Sequence, residues 1–421
     1  MKRRLAATLV VAGLALGACS PSTSTPASTA SNGGPRTGAL KVWLFEEPNR
    51  APKDAVVKDA IAEFTAAHPN TSVDVAYIAV DTRSARFKGA FNDPASAPDV
   101  VEYGNTDLPE YAEAGGLADL GPVVSGWSEG ADLGADAKAT ATYRNTLLGV
   151  PWYLGVRALY YRTDVFTELG LKPPTSEAEL TATARTIHAK KPAMVGIAAG
   201  GKYTFGALPF IWANGGDITS ISSPQSRAGL TAYTDLIKPD ICPAPQCADL
   251  TGGKTVDLFA AGKAGMAILG NFNRGAVDAG VAKGKYAVVP LPGSTPGSVA
   301  PAFAGGNNLG IMKNSKRPAL AADFLTLLAS KKYQAKMYDA MGNLPTLNSA
   351  RSDVATKDPF LKPFLDTIKA GTKFVPLNPG WGKIDAQAVL PTMIQKVATG
   401  KATVDQATDE AAKQISAALT S

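Results

Sequence analysis

The order of apolar segments near the start of the chain constrains its fold more than any other feature. Residues 40–45 form an apolar run that predicts a buried strand, and residues 55–67 carry apolar side chains at helical spacing. Residues 73–79 then alternate as a strand does, and residues 98–101 begin another buried strand. Strands that alternate with helices pair in parallel within one sheet. The sequence therefore predicts an α/β fold.

The central segment, residues 149–170, predicts a connection between two α/β units. It reads GVPWYLGVRALYYRTDVFTELG, with the large aromatics Trp152 and Tyr153 beside a proline turn. Residues 158–161 then predict a short buried strand, and Gly170 ends a short helix. Aromatic side chains in a connection between elements are typical of a binding site.

The N-terminus predicts export. Residues 1–18 join a basic start to an apolar run that is too short to span a bilayer, which indicates a signal peptide. The run ends Leu16-Gly17-Ala18-Cys19, which resembles a bacterial lipobox in which Cys19 is lipidated and becomes the mature N-terminus. Ordinary signal cleavage beside an incidental cysteine is the alternative. Residues 19–38 are rich in Ser, Thr, Pro, Ala and Gly, and we expect them to form a flexible linker.

Length and charge exclude some classes of protein. The 421 residues suffice for two domains or more. The formal net charge is +6, of which Lys2, Arg3 and Arg4 belong to the predicted signal peptide. No basic stripe with interleaved aromatics is present, so no nucleic-acid partner is expected.

The remaining cysteines, Cys242 and Cys247, enclose a short loop. In an exported protein such a pair predicts a disulfide. Half of a metal site is the alternative, but the only histidines are His68 and His188, and no further ligand cluster is evident. We therefore expect neither a metal nor another cofactor.

Motifs for catalysis are weak. Residues 126–130 match G-x-S-x-G, but a nucleophile elbow needs a base, and only His188 follows. A glycosidase needs two carboxyl groups that face one bond, whereas the adjacent Glu46 and Glu47 point apart in an extended chain. A pair formed by distant carboxylates stays open.

Several segments together resemble one family, the solute-binding proteins (family 1) of bacterial ABC sugar importers. The resemblance covers nearly the whole mature chain. It rests on VP at 150–151, LYYRTDVF at 159–166, GLKPPT at 170–175, FGALPFIWANGGD at 205–217, FAAGKAGMA at 259–267, GNF at 270–272, VPLPG at 289–293, GGN at 305–307 and MGNLP at 341–345.

This resemblance implies a two-lobed, periplasmic-binding-protein-like fold of type II, an α/β fold in which each lobe is a mostly parallel sheet flanked by helices. Three hinge crossovers are expected near Pro151, Pro292 and Pro345. The N-terminal lobe would comprise residues 39–151 and 301–345. The C-terminal lobe would comprise residues 152–300 and 346–421.

The function that the resemblance implies is ligand capture rather than catalysis. The protein would be a monomeric lipoprotein at the outer face of the cell membrane. It would bind a sugar or oligosaccharide between its lobes and deliver it to the transmembrane subunits of an ABC permease. A glycerophosphodiester is an alternative ligand, to which a basic pair in the cleft and little dependence on Trp381 would point. A secreted glycan-processing enzyme is the alternative from another class.

Sugars need aromatic faces for stacking and short polar side chains for their hydroxyls, and open α/β sheets bind ligands beyond the carboxyl ends of their strands. The predicted ligand-binding residues are Glu46, Glu47, Asp81, Asn105, Thr106, Asp107, Trp152, Tyr153, Tyr203, Asn271, Phe272, Gly305, Gly306, Asn307 and Trp381.

Trp381 is expected to be the main stacking residue. It lies between Pro379-Gly380 and Gly382, which predicts a turn that precedes a helix near Ile384. In the family that the chain resembles, an aromatic here stacks on the sugar. Phe272 stands where that family often has Trp, so Trp381 would carry more of the stacking.

Overall fold

The computed structural model describes residues 34–47, 49–93 and 95–420. The predictions for the signal peptide, for Cys19 and for most of the linker fall outside these residues.

The strands and helices are numbered in chain order. The strands are β1 Gly38–Phe45, β2 Thr71–Ile78, β3 Val100–Gly104, β4 Thr142–Tyr143, β5 Thr146–Leu147, β6 Val150–Gly155, β7 Arg157–Arg162, β8 Val195–Ala198, β9 Ala264–Gly270, β10 Tyr286–Val289, β11 Ala302–Phe303, β12 Gly305–Ile311 and β13 Thr372–Lys373. The α-helices are α1 Ala51–Ala67, α2 Arg83–Asn92, α3 Leu108–Glu113, α4 Gly121–Gly126, α5 Ala135–Ala139, α6 Thr163–Glu168, α7 Glu177–Lys190, α8 Thr204–Ala213, α9 Pro224–Thr234, α10 Ala244–Cys247, α11 Gly252–Ala260, α12 Arg274–Asp278, α13 Pro318–Leu328, α14 Lys331–Met341, α15 Asn348–Lys357, α16 Lys362–Ala370, α17 Trp381–Ala386, α18 Val389–Ala398 and α19 Val404–Thr420. Short 3-10 turns cover Val80–Thr82, Asn105–Asp107, Gly130–Asp132, Ile218–Ser220, Asn271–Asn273 and Pro359–Leu361.

The first lobe is built on the sheet β2-β1-β3-β12-β6. Strand β1 pairs in parallel with β2 and β3, as the strand–helix–strand order predicts. Leu40, Val42 and Leu44 of β1 are buried in one cluster with Val57 and Phe64 of α1. This burial accounts for the apolar spacing that indicates the first unit.

The second lobe is built on the sheet β10-β7-β9-β8. Strands β8 and β9 are parallel, whereas β7 is antiparallel to β9 and β10. In the first sheet, β12 likewise runs against β3 and β6. The predicted two-lobed α/β fold is confirmed, with one reversed strand among the described strands of each sheet.

The chain passes between the lobes later than predicted at its first two crossovers. Strand β6 belongs to the first sheet up to Gly155, so the first crossover follows Gly155 and not Pro151. Proline is tolerated here because β6 lies at the edge of the sheet. The second crossover is Ala304, since β11 pairs with β13 and β12 joins the first sheet. It does not lie near Pro292.

The third crossover lies beside the first. Leu344 and Leu154 exchange backbone hydrogen bonds of 2.9 and 3.0 Å, and the Thr346 hydroxyl donates to the Pro151 carbonyl oxygen at 2.7 Å. Pro345, near which the third crossover is predicted, lies within this segment.

Cys242 and Cys247 form a disulfide with their Cα atoms 5.9 Å apart, and both are buried in the core of the second lobe. Across the described residues, no helix is long and apolar enough to cross a membrane. The same residues contain no cluster of His, Cys, Asp and Glu that could hold a metal ion.

Candidate ligand-binding cleft

A cavity of about 650 Å³ lies between the two lobes. The ends of β1 and β3 and the start of β12 meet on its first-lobe side, as expected for the carboxyl edge of an open sheet. The start of β7, the turn after β9 and helix α8 reach it from the second lobe. The predicted residues that line it are Glu47, Asn105, Thr106, Asp107, Tyr153, Phe272, Gly305, Gly306 and Asn307.

Four of the other predicted residues lie outside the lining for local reasons. Glu46 points to the surface, where it pairs with Arg50, and Asp81 is exposed in a 3-10 turn. Trp152 faces the first-lobe core, because neighbours along a strand point to opposite sides and Tyr153 takes the cleft side. Tyr203 is buried and its hydroxyl donates to the Ile268 carbonyl oxygen at 3.1 Å.

Asn271 joins two crossovers instead of facing the cavity. Its side-chain oxygen accepts a hydrogen bond from the Val156 N–H at 2.8 Å, and its side-chain nitrogen donates to the Gly342 carbonyl oxygen at 2.6 Å. The residue is fully buried. This placement gives Asn271 a role in the hinge.

Trp381 corrects the prediction of a stacking turn. It is the first residue of helix α17, is 3% exposed and belongs to the second-lobe core rather than to the cavity lining. The segment before this helix packs on α19. Asn378 donates to the Leu419 carbonyl oxygen at 3.1 Å, and a side chain at position 380 would overlap the backbone of Ala418. This packing fixes the start of the helix at Trp381.

Phe272 offers the aromatic face that Trp381 does not. It is 38% exposed and lines the cavity. One side of its ring lies on backbone: a side chain at Gly270 would overlap the ring, and a Cβ at Gly155 would come within 2.8 Å of it. A ring that is held by backbone on one side and is more than a third exposed can stack on the apolar face of a sugar.

A buried ion pair underlies the first-lobe wall. Glu102 is fully buried and Lys53 is 1% exposed, and the Lys53 Nζ lies 2.8 Å from the Glu102 carboxylate. Lys53 also contacts Glu47 at 3.2 Å. Burial raises the pKa of the Glu47 carboxyl group, and the charge of Lys53 opposes this shift.

Glu102 also orients the polar groups of the wall. Its second oxygen accepts from the Tyr153 hydroxyl and from the Asn307 side-chain nitrogen, each at 2.6 Å. Burial and the nearby charges of Glu102 and Glu47 raise the pKa of Tyr153 well above its usual range, so the phenol stays protonated. Because that proton goes to Glu102, the Tyr153 oxygen acts as an acceptor, and it accepts a hydrogen bond from the Asn307 side-chain nitrogen at 2.6 Å.

The lining also contains residues that the sequence analysis missed. Arg83 forms a two-point ion pair with Asp107, with N–O distances of 2.7 and 3.1 Å. Phe205 and Phe303 stack with ring centroids 4.4 Å apart and an interplanar angle of 18°. Arg157 reaches the cavity from the start of β7. Arg157 lies in the central segment, residues 149–170, so its position beside a crossover was the available signal.

A cleft between two α/β lobes, with an open aromatic face and hydrogen-bonding walls, defines a two-lobed binding protein for a small polar ligand. The model of the bacterial extracellular solute-binding proteins matches residues 47–335. The chain belongs to this family.

Two relatives and one solved structure resemble the chain over most of its length. The chain is 26% identical to the diacetylchitobiose binding protein DasA of Streptomyces coelicolor, over 99% of this chain and 97% of that protein. It is 25% identical to the galactooligosaccharide-binding protein of Bacillus subtilis, over 95% and 93%. The sugar-binding protein MalE of Xanthomonas citri has the same fold, with a TM-score of 0.80 at 23% identity over 91% of this chain and 98% of that chain.

Proposed function

We propose that this protein binds a sugar or oligosaccharide between its lobes and delivers it to the permease of an ABC importer. The observation that carries the proposal is the open face of Phe272 opposite a wall of hydrogen-bonding groups on Glu47, Tyr153 and Asn307. Two relatives that align over almost the whole chain are described as binding diacetylchitobiose and galactooligosaccharide. Both are short carbohydrates of a size suited to a cavity of about 650 Å³.

Binding without turnover is part of the proposal. The lining carboxylates Glu47 and Asp107 are engaged by Lys53 and Arg83 respectively, which disfavours their use as an acid and a nucleophile. Membership of a family of binding proteins supports the same view.

The location and assembly of the protein are also proposals. A lipid anchor on Cys19 would hold a monomer at the outer face of the membrane, where it can meet the permease. The family's description as extracellular supports export. The apolar run before Cys19 supports the anchor.

A thermal-shift panel of mono-, di- and trisaccharides and glycerophosphodiesters tests the function, followed by calorimetry on each hit. A ligand at about 100 times its dissociation constant should stabilise the protein by about 2.7 kcal/mol. Calorimetric binding of a carbohydrate, with the sugar recovered unchanged, is the expected result. A panel without any carbohydrate hit contradicts sugar binding, and release of cleaved products contradicts binding without turnover.

One observation favours an anionic ligand as the second candidate. Trp381 does not line the cleft, which is one of the two signs that point to a glycerophosphodiester. The other sign, a basic pair, is incomplete because Arg83 is neutralised by Asp107. Arg157 remains.

A further inference from the structure

Arg157 holds a fixed positive charge at the second-lobe wall. Its Nε donates to the Tyr203 hydroxyl at 2.6 Å. Its guanidinium carbon lies 5.6, 5.3 and 5.7 Å from the ring centroids of Tyr203, Phe205 and Phe272. The hydrogen bond and the three rings restrict the guanidinium to one place beside the cavity, so it is positioned before any ligand arrives.

This charge lacks an acidic partner. Within residues 34–47, 49–93 and 95–420, the ion pairs of the lining residues join Lys53 to Glu47 at 3.2 Å and Arg83 to Asp107 at 2.7 Å, and none includes Arg157. A half-buried charge without a counter-ion is unfavourable because its hydration is incomplete. A ligand that brought a negative group would remove this cost.

The chemistry of the free nitrogens fits an oxyanion. With Nε bound to Tyr203, the two Nη atoms of Arg157 remain, and a planar guanidinium binds carboxylate and phosphate oxygens through paired hydrogen bonds. The opposite wall is less favourable for such a group, because it presents the Glu47 carboxylate. An anionic ligand is therefore favoured in the orientation that places its negative group beside Arg157.

We propose that Arg157 binds an oxyanion of the ligand, so that the cleft selects a carbohydrate bearing a carboxylate or a phosphate ester over its neutral parent. The oxyanion lies between Phe205 and Phe272, and the hydroxyls of the same ligand face Glu47 and Tyr153. This inference rests on the proposed function and narrows its ligand class.

The test uses matched pairs of carbohydrates in calorimetry with the full mature chain. Digalacturonate is compared with galactobiose, and maltose 1-phosphate with maltose, so that the carboxylate and phosphate sources of the oxyanion are separated. Two charge-assisted hydrogen bonds predict that the anionic member of at least one pair binds about 10- to 100-fold more tightly than the neutral member.

Variants assign the preference to its residue. Arg157→Gln removes the charge and should abolish the preference, whereas Arg157→Lys keeps the charge without the paired geometry and should retain part of it. Arg86→Gln is the matched control, since Arg86 also lies over an aromatic ring, that of Trp43 at 5.8 Å, but outside the cavity lining. The melting temperature of each ligand-free variant reports its folding.

The outcomes separate this inference from the proposed function. Neutral sugars that bind as tightly as their anionic partners overturn the inference and leave sugar binding intact. A preference for the anionic ligand that survives in folded Arg157→Gln also overturns the inference. An equal loss of affinity for both members of a pair overturns it too, because it would mean that Arg157 only positions the rings. If no carbohydrate binds, both proposals fail.

Discussion

The side-chain nitrogen of Asn271 donates to the carbonyl oxygen of Gly342 at 2.6 Å, and this bond joins the 3-10 turn after the second-lobe strand β9 to the segment that leads into the third crossover. The same side chain accepts from Val156 in the first crossover. One buried carboxamide thus links two of the segments that pass between the lobes. Gly342 has a positive φ of 71°, a conformation that favours glycine and ends helix α14 there.

We expect Asn271→Ala to lower the free energy of unfolding by about 1–3 kcal/mol, because it leaves the buried Val156 N–H and the half-buried Gly342 C=O without these partners. Urea denaturation of the ligand-free protein measures this. Asn348→Ala, at an exposed position, is the matched control and should change stability little. A loss no greater than that of the control would contradict the role of Asn271 in the hinge.

Phe272 and Trp381 should respond differently to truncation. Phe272→Ala removes the open stacking face and should weaken sugar binding by about 1–3 kcal/mol, or 5- to 150-fold, with little change in melting temperature. Trp381→Ala removes a buried ring and should destabilise the protein by about 3–5 kcal/mol. Its calorimetric affinity at a temperature where the variant is folded should stay near that of the parent protein. The opposite pattern would restore Trp381 as the stacking residue.

The Cys242–Cys247 disulfide closes a short loop, so its entropic contribution should be modest, about 2 kcal/mol. The Cys242→Ala, Cys247→Ala double variant should lose about this amount in urea denaturation. The parent protein after reduction is the comparison, since it keeps both side chains. Two free thiols found by mass spectrometry in exported protein would rule the disulfide out.

Cys19 should carry the membrane anchor, because two acyl chains on one residue suffice for stable attachment. Cys19→Ala should move protein that has lost residues 1–18 from the membrane fraction to the medium, and mass spectrometry should establish that those residues have been removed. Ser20→Ala, which leaves the cysteine in place, should remain with the membrane. Unchanged membrane association of Cys19→Ala protein that lacks residues 1–18 would place the anchor elsewhere.

Ligand binding between the lobes should close them about the crossovers. Small-angle scattering should give a smaller radius of gyration with a saturating sugar than without it. A sugar that gives no thermal shift serves as the control. An unchanged radius at calorimetrically confirmed saturation would show that the lobes do not move together.

The sequence predicted most of the fold because local patterns determine its elements. The alternation in residues 73–79 and the helical spacing in 55–67 correspond to β2 and α1, although α1 begins earlier, at Ala51, where Pro52 fits the first turn. The first crossover lies after Gly155, later than the predicted Pro151, because β6 is an edge strand that accepts this proline and continues to Gly155. Sheet position is a tertiary property that no local pattern reveals.

The site was predicted where it follows strand ends and missed where it depends on long-range packing. Glu47 and Tyr153 line the cleft as expected. The prediction that Trp381 lines the cleft was wrong. Its flanking glycines indicate that a turn is possible, but they do not show that the C-terminal helix α19 covers the ring. Arg157 was missed because Tyr203, which positions it, is distant in the sequence.

The hydrogen bond from Tyr153 to Glu102 also affects which chemical modifications of a ligand are tolerated. Since the phenolic proton is committed and the Tyr153 oxygen also accepts from the Asn307 side-chain nitrogen at 2.6 Å, its remaining lone pair can pair only with a hydroxyl or amide hydrogen of the ligand. O-methylation of the facing hydroxyl removes its hydrogen and adds bulk, whereas inversion at a remote carbon leaves the pair intact. The cleft should therefore discriminate methyl ethers of a bound sugar more sharply than its distant epimers.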